Sequence, residues 1–231
     1  MPRRFFLLGL QASAPFLIVI VPFALLFGVV ATEAGLNLAE TMGFSVLMVA
    51  GAAQFVALQL SQDNTPTLII LITALAVNLR LMMYSAALAP LVGQASLWQR
   101  IAIAYTLTDQ SFALTVDMAE REPRSLPDIL AFYAGTAVPT LLLWYVFTLV
   151  GAVAGAAIPA AFALDFALPI TFLAMLAPML RTLAHVAACL TSILGSLALT
   201  GVPYGLGVLV AAMLAMAVGA QVEAWQKREA A

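Results

Sequence analysis

The chain has 231 residues, of which 64% are hydrophobic and 9% are charged, and its formal net charge is −2. A soluble domain carries about 25% charged residues, so this composition excludes a water-soluble globular protein. It offers no basic stripe to bind a nucleic acid. Several runs reach the roughly 20 apolar residues that a spanning helix needs. We therefore predict an all-α, polytopic transmembrane helical bundle, with residues 1–231 forming a single integral-membrane domain.

The apolar runs and the polar turns between them predict about eight spans, with seven as the alternative and with discontinuous helices among them. The first run follows Arg3 and Arg4, and we expect a retained helix rather than a cleaved leader. The most charged stretch, EREPRSLPD at 120–128, predicts a loop. The last two runs are either two spans or one broken hairpin. The approximate predicted bounds are 12–33, 41–61, 66–91, 98–118, 129–150, 167–183, 186–200 and 205–223.

The positions of lysine and arginine predict the orientation, because these residues accumulate on the cytoplasmic side. Eight spans and a cytoplasmic N-terminus place seven of the nine basic residues inside. Arg100 is then outside and Arg80 lies within a span. We predict a multi-pass protein of the cell (inner) membrane with both termini in the cytoplasm. The seven are Arg3, Arg4, Arg121, Arg124, Arg181, Lys227 and Arg228.

A faint internal similarity links residues 26–55 to residues 149–178 at an offset of 123 residues. Both stretches contain a helix end, a turn rich in small residues and the start of a new apolar helix. Repeats are common in membrane transporters, but apolar helices also resemble one another by chance. A weak internal repeat is therefore one alternative.

Asn78 and Arg80 lie inside the apolar run TALAVNLRLMMYSA, residues 73–86. Arg80 follows Pro66 by 14 residues, about 21 Å along a helix and well inside a ~30 Å hydrocarbon core. An arginine at that depth has to face protein or water, either as a structural cation or as an anion site. Because residues two apart lie about 200° apart around a helix, either protein surrounds this helix or it unwinds near Asn78.

Gln54 and Asp109 are two further polar residues in the middle of predicted spans. Gln54 follows small residues in VAGAAQFVA, and its amide is expected to bond a neighbouring helix or a ligand. Asp109 lies in AYTLTDQSFAL, where Thr106, Asp109 and Gln110 would share one face of a regular helix. Arg80 lies at comparable depth. Asp109 is therefore its ion-pair partner, or a proton carrier or ligand for an ammonium group.

The residue inventory argues against an enzyme and against a bound metal or cofactor. One histidine, His185, and one cysteine, Cys189, cannot build the usual metal site, and no nucleotide-binding loop or nucleophile elbow is present. Asp165 is expected to cap the helix that follows it. Gly151 and Gly155 are expected to form a helix-packing contact.

Five short motifs follow one another in the chain: AGAAQF at 50–55, VNLR at 77–80, YSAALAP at 84–90, TDQSFAL at 108–114 and LDFALPITFLAML at 164–176. Together they resemble the AzlC family, the large subunits of branched-chain amino acid exporters, over roughly residues 10–222. The resemblance implies a transporter domain that exports small apolar amino acids, with valine as the main expected substrate and leucine and isoleucine as further ones. It also implies a small membrane partner of the AzlD type, in addition to the lipid bilayer.

The family's polar motifs map onto Gln54, Asn78, Arg80 and Asp109. Arg80, with unwound backbone near Asn78, is predicted to bind a substrate carboxylate, because a guanidinium pairs with it bidentately. Asp109 is predicted to bind the ammonium group or a coupled proton, and Gln54 to add a neutral hydrogen bond. The predicted apolar contacts of the aliphatic side chain are Phe55, Met82 and Phe112.

Two departures from the family pattern bear on coupling and substrate. Many relatives read NLRH, whereas Leu81 follows Arg80 here, and many read TDE, whereas Gln110 follows Asp109 here. Both changes remove an ionisable group beside the predicted site. Two alternatives to the exporter remain: a channel or permease for another small solute, and a non-transporting membrane scaffold in which Arg80 and Asp109 join helices.

Overall fold

The computed structural model describes residues 2–122, 124–155, 180, 182–202 and 206–229. These residues form helices joined by short turns, with no strand among them, which confirms the all-α prediction for this part of the chain. The helices are α1 (Pro2–Glu33), α2 (Leu38–Leu47), α3 (Gly51–Gln62), α4 (Thr67–Val92), α5 (Leu97–Tyr105), α6 (Asp109–Arg121), α7 (Leu126–Gly155), α8 (Leu183–Ala198) and α9 (Leu206–Glu229).

Four of these helices are long and apolar enough to cross a membrane: Pro2–Glu33, Thr67–Val92, Leu126–Gly155 and Leu206–Gln226. Two shorter helices, α2 and α8, are also apolar. The protein is thus a helical membrane protein, and a total of seven or eight spans stays a prediction. The helix predicted over 167–183, the cap at Asp165 and most of the second copy of the predicted repeat lie outside the described residues.

Two predicted spans are interrupted in the structure. The run predicted over 41–61 forms α2 and α3 with a break at residues 48–50, and the run predicted over 98–118 forms α5 and α6 with a break at residues 106–108. The run that contains Asn78 is instead continuous as α4. The expected unwinding at Asn78 is therefore wrong, because a polar side chain can be carried by an intact helix.

The chain forms two compact units, one of Met1–Leu58 with Val77–Phe162 and one of Gln59–Ala76 with Ala163–Ala231. In the second unit α8 and α9 pack closely, with Gly195 against Ala211 and Gly207 against Leu199. The last two predicted helices are therefore separate helices. All four predicted polar site residues belong to the first unit.

In the first unit, α1 and α7 pack backbone to backbone through glycines. A methyl group added at Gly9 would overlap the carbonyl of Phe132, and one added at Gly151 would overlap the carbonyl of Leu25. A methyl group at Gly155 would lie 2.9 Å from the Cα of Val29. Small residues permit such close approach. The packing role predicted for Gly151 and Gly155 is confirmed.

The first break lies against a cluster of aromatic rings contributed by four helices. Phe55 of α3 packs against Phe23 and Phe27 of α1, with ring centroids 4.8 Å and 5.4 Å away. Gly51, the first residue of α3, lies against the rings of Phe23 and Trp144. A side chain at position 51 would collide with these rings. Because glycine has none, α3 can begin inside this cluster.

Candidate functional site

Arg80 and Asp109 form an ion pair in the first unit. Nη1 of Arg80 lies 2.8 Å from Oδ2 of Asp109, and the two side chains are 36% and 42% exposed. The other carboxylate oxygen of Asp109 and Nε of Arg80 are shielded and form no hydrogen bond in the described part of the chain. The ion pair is therefore partly accessible, while one acceptor oxygen and one donor nitrogen beside it have no hydrogen-bond partner in the described residues.

Asp109 is the first residue of α6, where the sequence had predicted the middle of a helix. Thr108 caps this helix, since its hydroxyl accepts from the N–H of Ser111 and its own N–H donates to Oγ of Ser111. Thr106 follows the last residue of α5 and lies in the break, so the predicted shared helix face of Thr106, Asp109 and Gln110 does not exist. A carboxylate in the first turn is favoured by the helix dipole.

The ion pair is the end of a stripe of contacts between α4 and α6. Arg80 and Tyr84 are four residues apart on α4 and therefore lie on one face. The ring of Tyr84 stacks on Phe112 of α6, with centroids 4.3 Å apart. Farther along, Leu88 and Val116 join one apolar cluster. The predicted contact residue Phe112 thus lies one turn from Asp109, next to the charges.

The hydroxyl of Tyr133 lies at the second break. It donates to the backbone carbonyl of Ile103, 2.9 Å away, and lies 3.2 Å from Oγ1 of Thr106. In an uninterrupted helix the N–H of Leu107 would bond that carbonyl. A tyrosine hydroxyl therefore replaces the amide donor that the break removes.

A second tyrosine does the same at the first break. The hydroxyl of Tyr105 donates to the carbonyl of Val46, 2.7 Å away, and contacts the hydroxyl of Tyr145 at 2.6 Å. An uninterrupted helix would bond Val46 to the N–H of Ala50. Neither tyrosine was predicted as a functional residue. The available signal was a hydroxyl inside an apolar span, which has to find a partner there.

Gln54 lies in α3 beside the first break and is fully buried. Its Nε2 donates to Oγ of Ser45, 3.3 Å away, and its Oε1 is shielded without a hydrogen bond in the described residues. Its neighbour Phe55 belongs to the aromatic cluster. The bonds and ring contacts of Gln54 and Phe55 thus lie at the first break, whereas Arg80, Asp109 and Phe112 surround the second.

Asn78 and Met82 share α4 with Arg80, each two residues away from it. Oδ1 of Asn78 is shielded and has no hydrogen bond among the described residues. Met82 is 64% exposed. Since residues two apart point to nearly opposite sides of a helix, neither side chain shares the face of Arg80 that meets Asp109.

His185 and Cys189 both lie in α8, outside the unit that holds the ion pair. His185 is in the first turn, where its N–H donates to the hydroxyl of Thr182. Cys189 is a partly buried free thiol. Within the described ranges, no three or more His, Cys, Asp or Glu residues come together to hold a metal ion.

The sequence profile described as AzlC protein matches residues 15–158, more than half of the chain. The chain belongs to the AzlC family. Over 177 residues it is 29% identical to the inner membrane protein YgaZ of Escherichia coli strain K12, covering 74% of this chain and 71% of that protein. Over 183 residues it is 30% identical to an uncharacterized membrane protein of Archaeoglobus fulgidus, covering 75% of each. No solved structure matches.

The matched AzlC region contains both breaks, the ion pair and the aromatic cluster. AzlC is a transporter-type family of membrane proteins and not a family of enzymes. With the long apolar helices, this places the protein in a membrane and gives it a role in membrane transport.

Proposed function

We propose that this AzlC protein is a permease that exports branched-chain amino acids by alternating access, with valine as its main substrate. The observation that carries the proposal is the accessible ion pair of Arg80 and Asp109 at a helix break. Ionisable residues inside a transporter's membrane domain mark substrate or ion pathways. Removing a charged side chain from water costs free energy, so such residues are retained where they bind a substrate or an ion. Opposite charges 2.8 Å apart also suit a zwitterion.

The backbone of an amino acid carries one carboxylate and one ammonium group. In the proposal the carboxylate binds Arg80 and the ammonium group binds Asp109, so that the substrate replaces one internal ion pair by two external ones. Once the substrate has replaced the contact with Asp109, the guanidinium of Arg80 can bind the carboxylate through two hydrogen bonds. Since α4 is continuous, the guanidinium binds the carboxylate without help from unwound backbone near Asn78.

The aliphatic side chain of the substrate is proposed to contact the aromatic pair beside the charges. Phe112 and Tyr84 form an apolar wall one turn away from Asp109 and Arg80. Gln54 and Phe55 are buried at the first break, so in this proposal they meet substrate only in a state in which that break opens. Met82 is assigned to the exposed side of α4.

Coupling, partner and topology complete the proposal. The alternative role for Asp109 is to carry a coupled proton instead of binding the ammonium group. A small AzlD-type subunit is the proposed partner, and the exposed face of α4 with Leu68, Leu75 and Met83 is available to lipid or to that subunit. Eight spans with both termini in the cytoplasm are the proposed topology.

Counterflow of labelled valine in proteoliposomes, with and without the small subunit, tests this function. We expect saturable exchange that Arg80→Ala removes and that Arg100→Ala, an exposed arginine on α5, leaves intact. Channel behaviour would appear as flux without saturation. Absence of exchange for valine, leucine and isoleucine in the presence of the partner would refute the substrate assignment.

A scaffold function is the second candidate, because the ion pair and the Tyr84–Phe112 stack also join α4 to α6. The exchanged double variant Arg80→Asp/Asp109→Arg separates the two functions. It restores an ion pair, and so would restore a scaffold, but it reverses the polarity that an oriented amino acid meets. We expect normal assembly with lost valine exchange.

A further inference from the structure

The hydroxyl of Tyr133 is buried at the break between α5 and α6. The side chain is 3% exposed, and its ring packs in the cluster that contains Leu88 and Ile103. A phenylalanine would serve that packing equally well. The hydroxyl is therefore the part of this side chain that calls for an explanation.

This hydroxyl contacts the end of α5 and the first residue of the break. It donates to the carbonyl of Ile103 in the last turn of α5 and contacts Oγ1 of Thr106 in the break. Thr106 lies two residues before Thr108, whose side chain caps α6 together with that of Ser111. Ser111 in turn holds the cap at Thr108, next to Asp109. One atom on the long helix α7 thus bonds both the last turn of α5 and the first residue of the break, two residues before the cap of α6.

We propose that Tyr133 is a positioning residue that holds the start of α6, and with it Asp109, in register with Arg80. Its consequence for transport rests on the proposed function, whereas its consequence for the geometry does not. Without the hydroxyl, the carbonyl of Ile103 loses its donor and the break samples other conformations. Substrate then binds only the fraction of molecules in which Asp109 opposes Arg80, so the apparent affinity falls by that fraction.

Geometry is measured first, by cross-linking in a Cys189→Ala background, which removes the single native thiol. Cysteines replace Tyr84 and Phe112, whose rings are stacked, so Arg80 and Asp109 both remain. We expect Tyr133→Phe to slow cross-linking by a short bifunctional maleimide about 2-fold to 10-fold, the range for one hydrogen bond. Thr140→Val, which removes another buried hydroxyl of α7, one that donates to the carbonyl of Thr136 within the same helix, should leave the rate unaltered.

Transport is measured second, in Tyr133→Phe with positions 84 and 112 native. We expect the KM for valine to rise by the same factor as the cross-linking rate falls, with Vmax per folded protein unchanged. A merely structural role would lower the amount of folded protein and therefore the total Vmax, but would leave both KM and Vmax per folded protein unaltered. That result would overturn the proposal.

The two readouts keep this inference separate from the proposed function. Slower cross-linking supports the positioning role even if the wild-type protein moves no amino acid, a result that would refute only the export function. An unchanged cross-linking rate overturns the positioning role. It does so even if KM changes, because Tyr133 would then act on the substrate without moving α6.

Discussion

Residues 38–62 and 97–121 each form a short helix, a three-residue break and a second short helix, and the two segments have equal length. In both, the carbonyl that the break exposes accepts a hydrogen bond from a tyrosine hydroxyl. The first break lies in aromatic packing beside Gln54, which is neutral and fully buried. The second lies beside Asp109, which is charged and 42% exposed.

The difference shows that one backbone arrangement can serve two purposes. A break surrounded by rings and lined by a neutral amide is suited to hold helices at a fixed place, because nothing in it attracts a charged ligand. A break that begins a helix with an accessible carboxylate, opposite a guanidinium, can bind and release ions. We therefore assign chemistry to the second break and expect the first to act through structure. Four substitutions test that division.

Asp109→Asn should have the largest effect. It removes the charge but keeps the shape, so we expect valine exchange to fall about 10-fold to 100-fold, the range for a hydrogen bond to a charged group. Exchange assays at matched amounts of folded protein measure it. The control is Asp117→Asn, whose carboxylate pairs with Arg121 on the exposed part of α6. Equal losses in both variants would argue against a site at the second break.

Gly51→Val comes next and acts on the first break. The first added carbon would lie 2.5 Å from a ring carbon of Phe23 and 2.8 Å from one of Trp144. We expect a loss of about 1–3 kcal/mol in stability from overpacking, measured by thermal unfolding in detergent. Gly43→Val, at a glycine with nothing within 4 Å, is the matched control. A stable Gly51→Val protein would mean that the rings can move apart.

Gln54→Leu tests whether the first break has a purely structural role. The change removes an unbonded buried oxygen and one hydrogen bond to Ser45, so we expect stability to change by less than about 1 kcal/mol. If the first break is only structural, exchange should stay within about 3-fold of wild type. A loss as large as that of Asp109→Asn would place Gln54 in the binding site and contradict the division between the breaks.

Tyr105→Phe should have the smallest effect. Tyr105 is 43% exposed, so water or lipid headgroups can partly replace its bond to Val46, and we expect at most about 0.5 kcal/mol of lost stability, the low end for one hydrogen bond. Thermal unfolding measures this loss beside that of Tyr133→Phe, whose hydroxyl is buried. A larger loss in Tyr105→Phe would show that the first break depends more on its tyrosine than the second.

The sequence predicted the helices well where apolar runs are long, since a run of about 20 apolar residues has the length of a membrane-spanning helix. It predicted discontinuous helices but did not place the breaks, because residues 48–50 and 106–108 contain neither proline nor glycine. The expected unwinding was assigned to Asn78, a polar residue that α4 accommodates. The useful signal was Thr108 with Ser111, whose side chains compete for backbone groups and end a helix.

Arg80 and Asp109 lie at similar depth in two separate apolar runs, and an ion pair between them was one of two interpretations of that depth. The structure confirms their contact. Depth along a helix follows from residue spacing, so it can be estimated from sequence. The direction of each side chain cannot, once a helix is broken. That is why the predicted face of Thr106, Asp109 and Gln110 was wrong and why Tyr133 was missed.

The glycine contacts between α1 and α7 have a consequence for measuring motion in this protein. Gly9 and Gly28, which both touch the backbone of α7, are separated by about 28 Å along α1, nearly the thickness of the hydrocarbon core. Helices interlocked over that distance cannot slide or turn independently. Helices α1 and α7 can therefore serve as a fixed structural reference. Spectroscopic labels on their exposed face would give a stationary origin from which displacements of α6 during a transport cycle can be read.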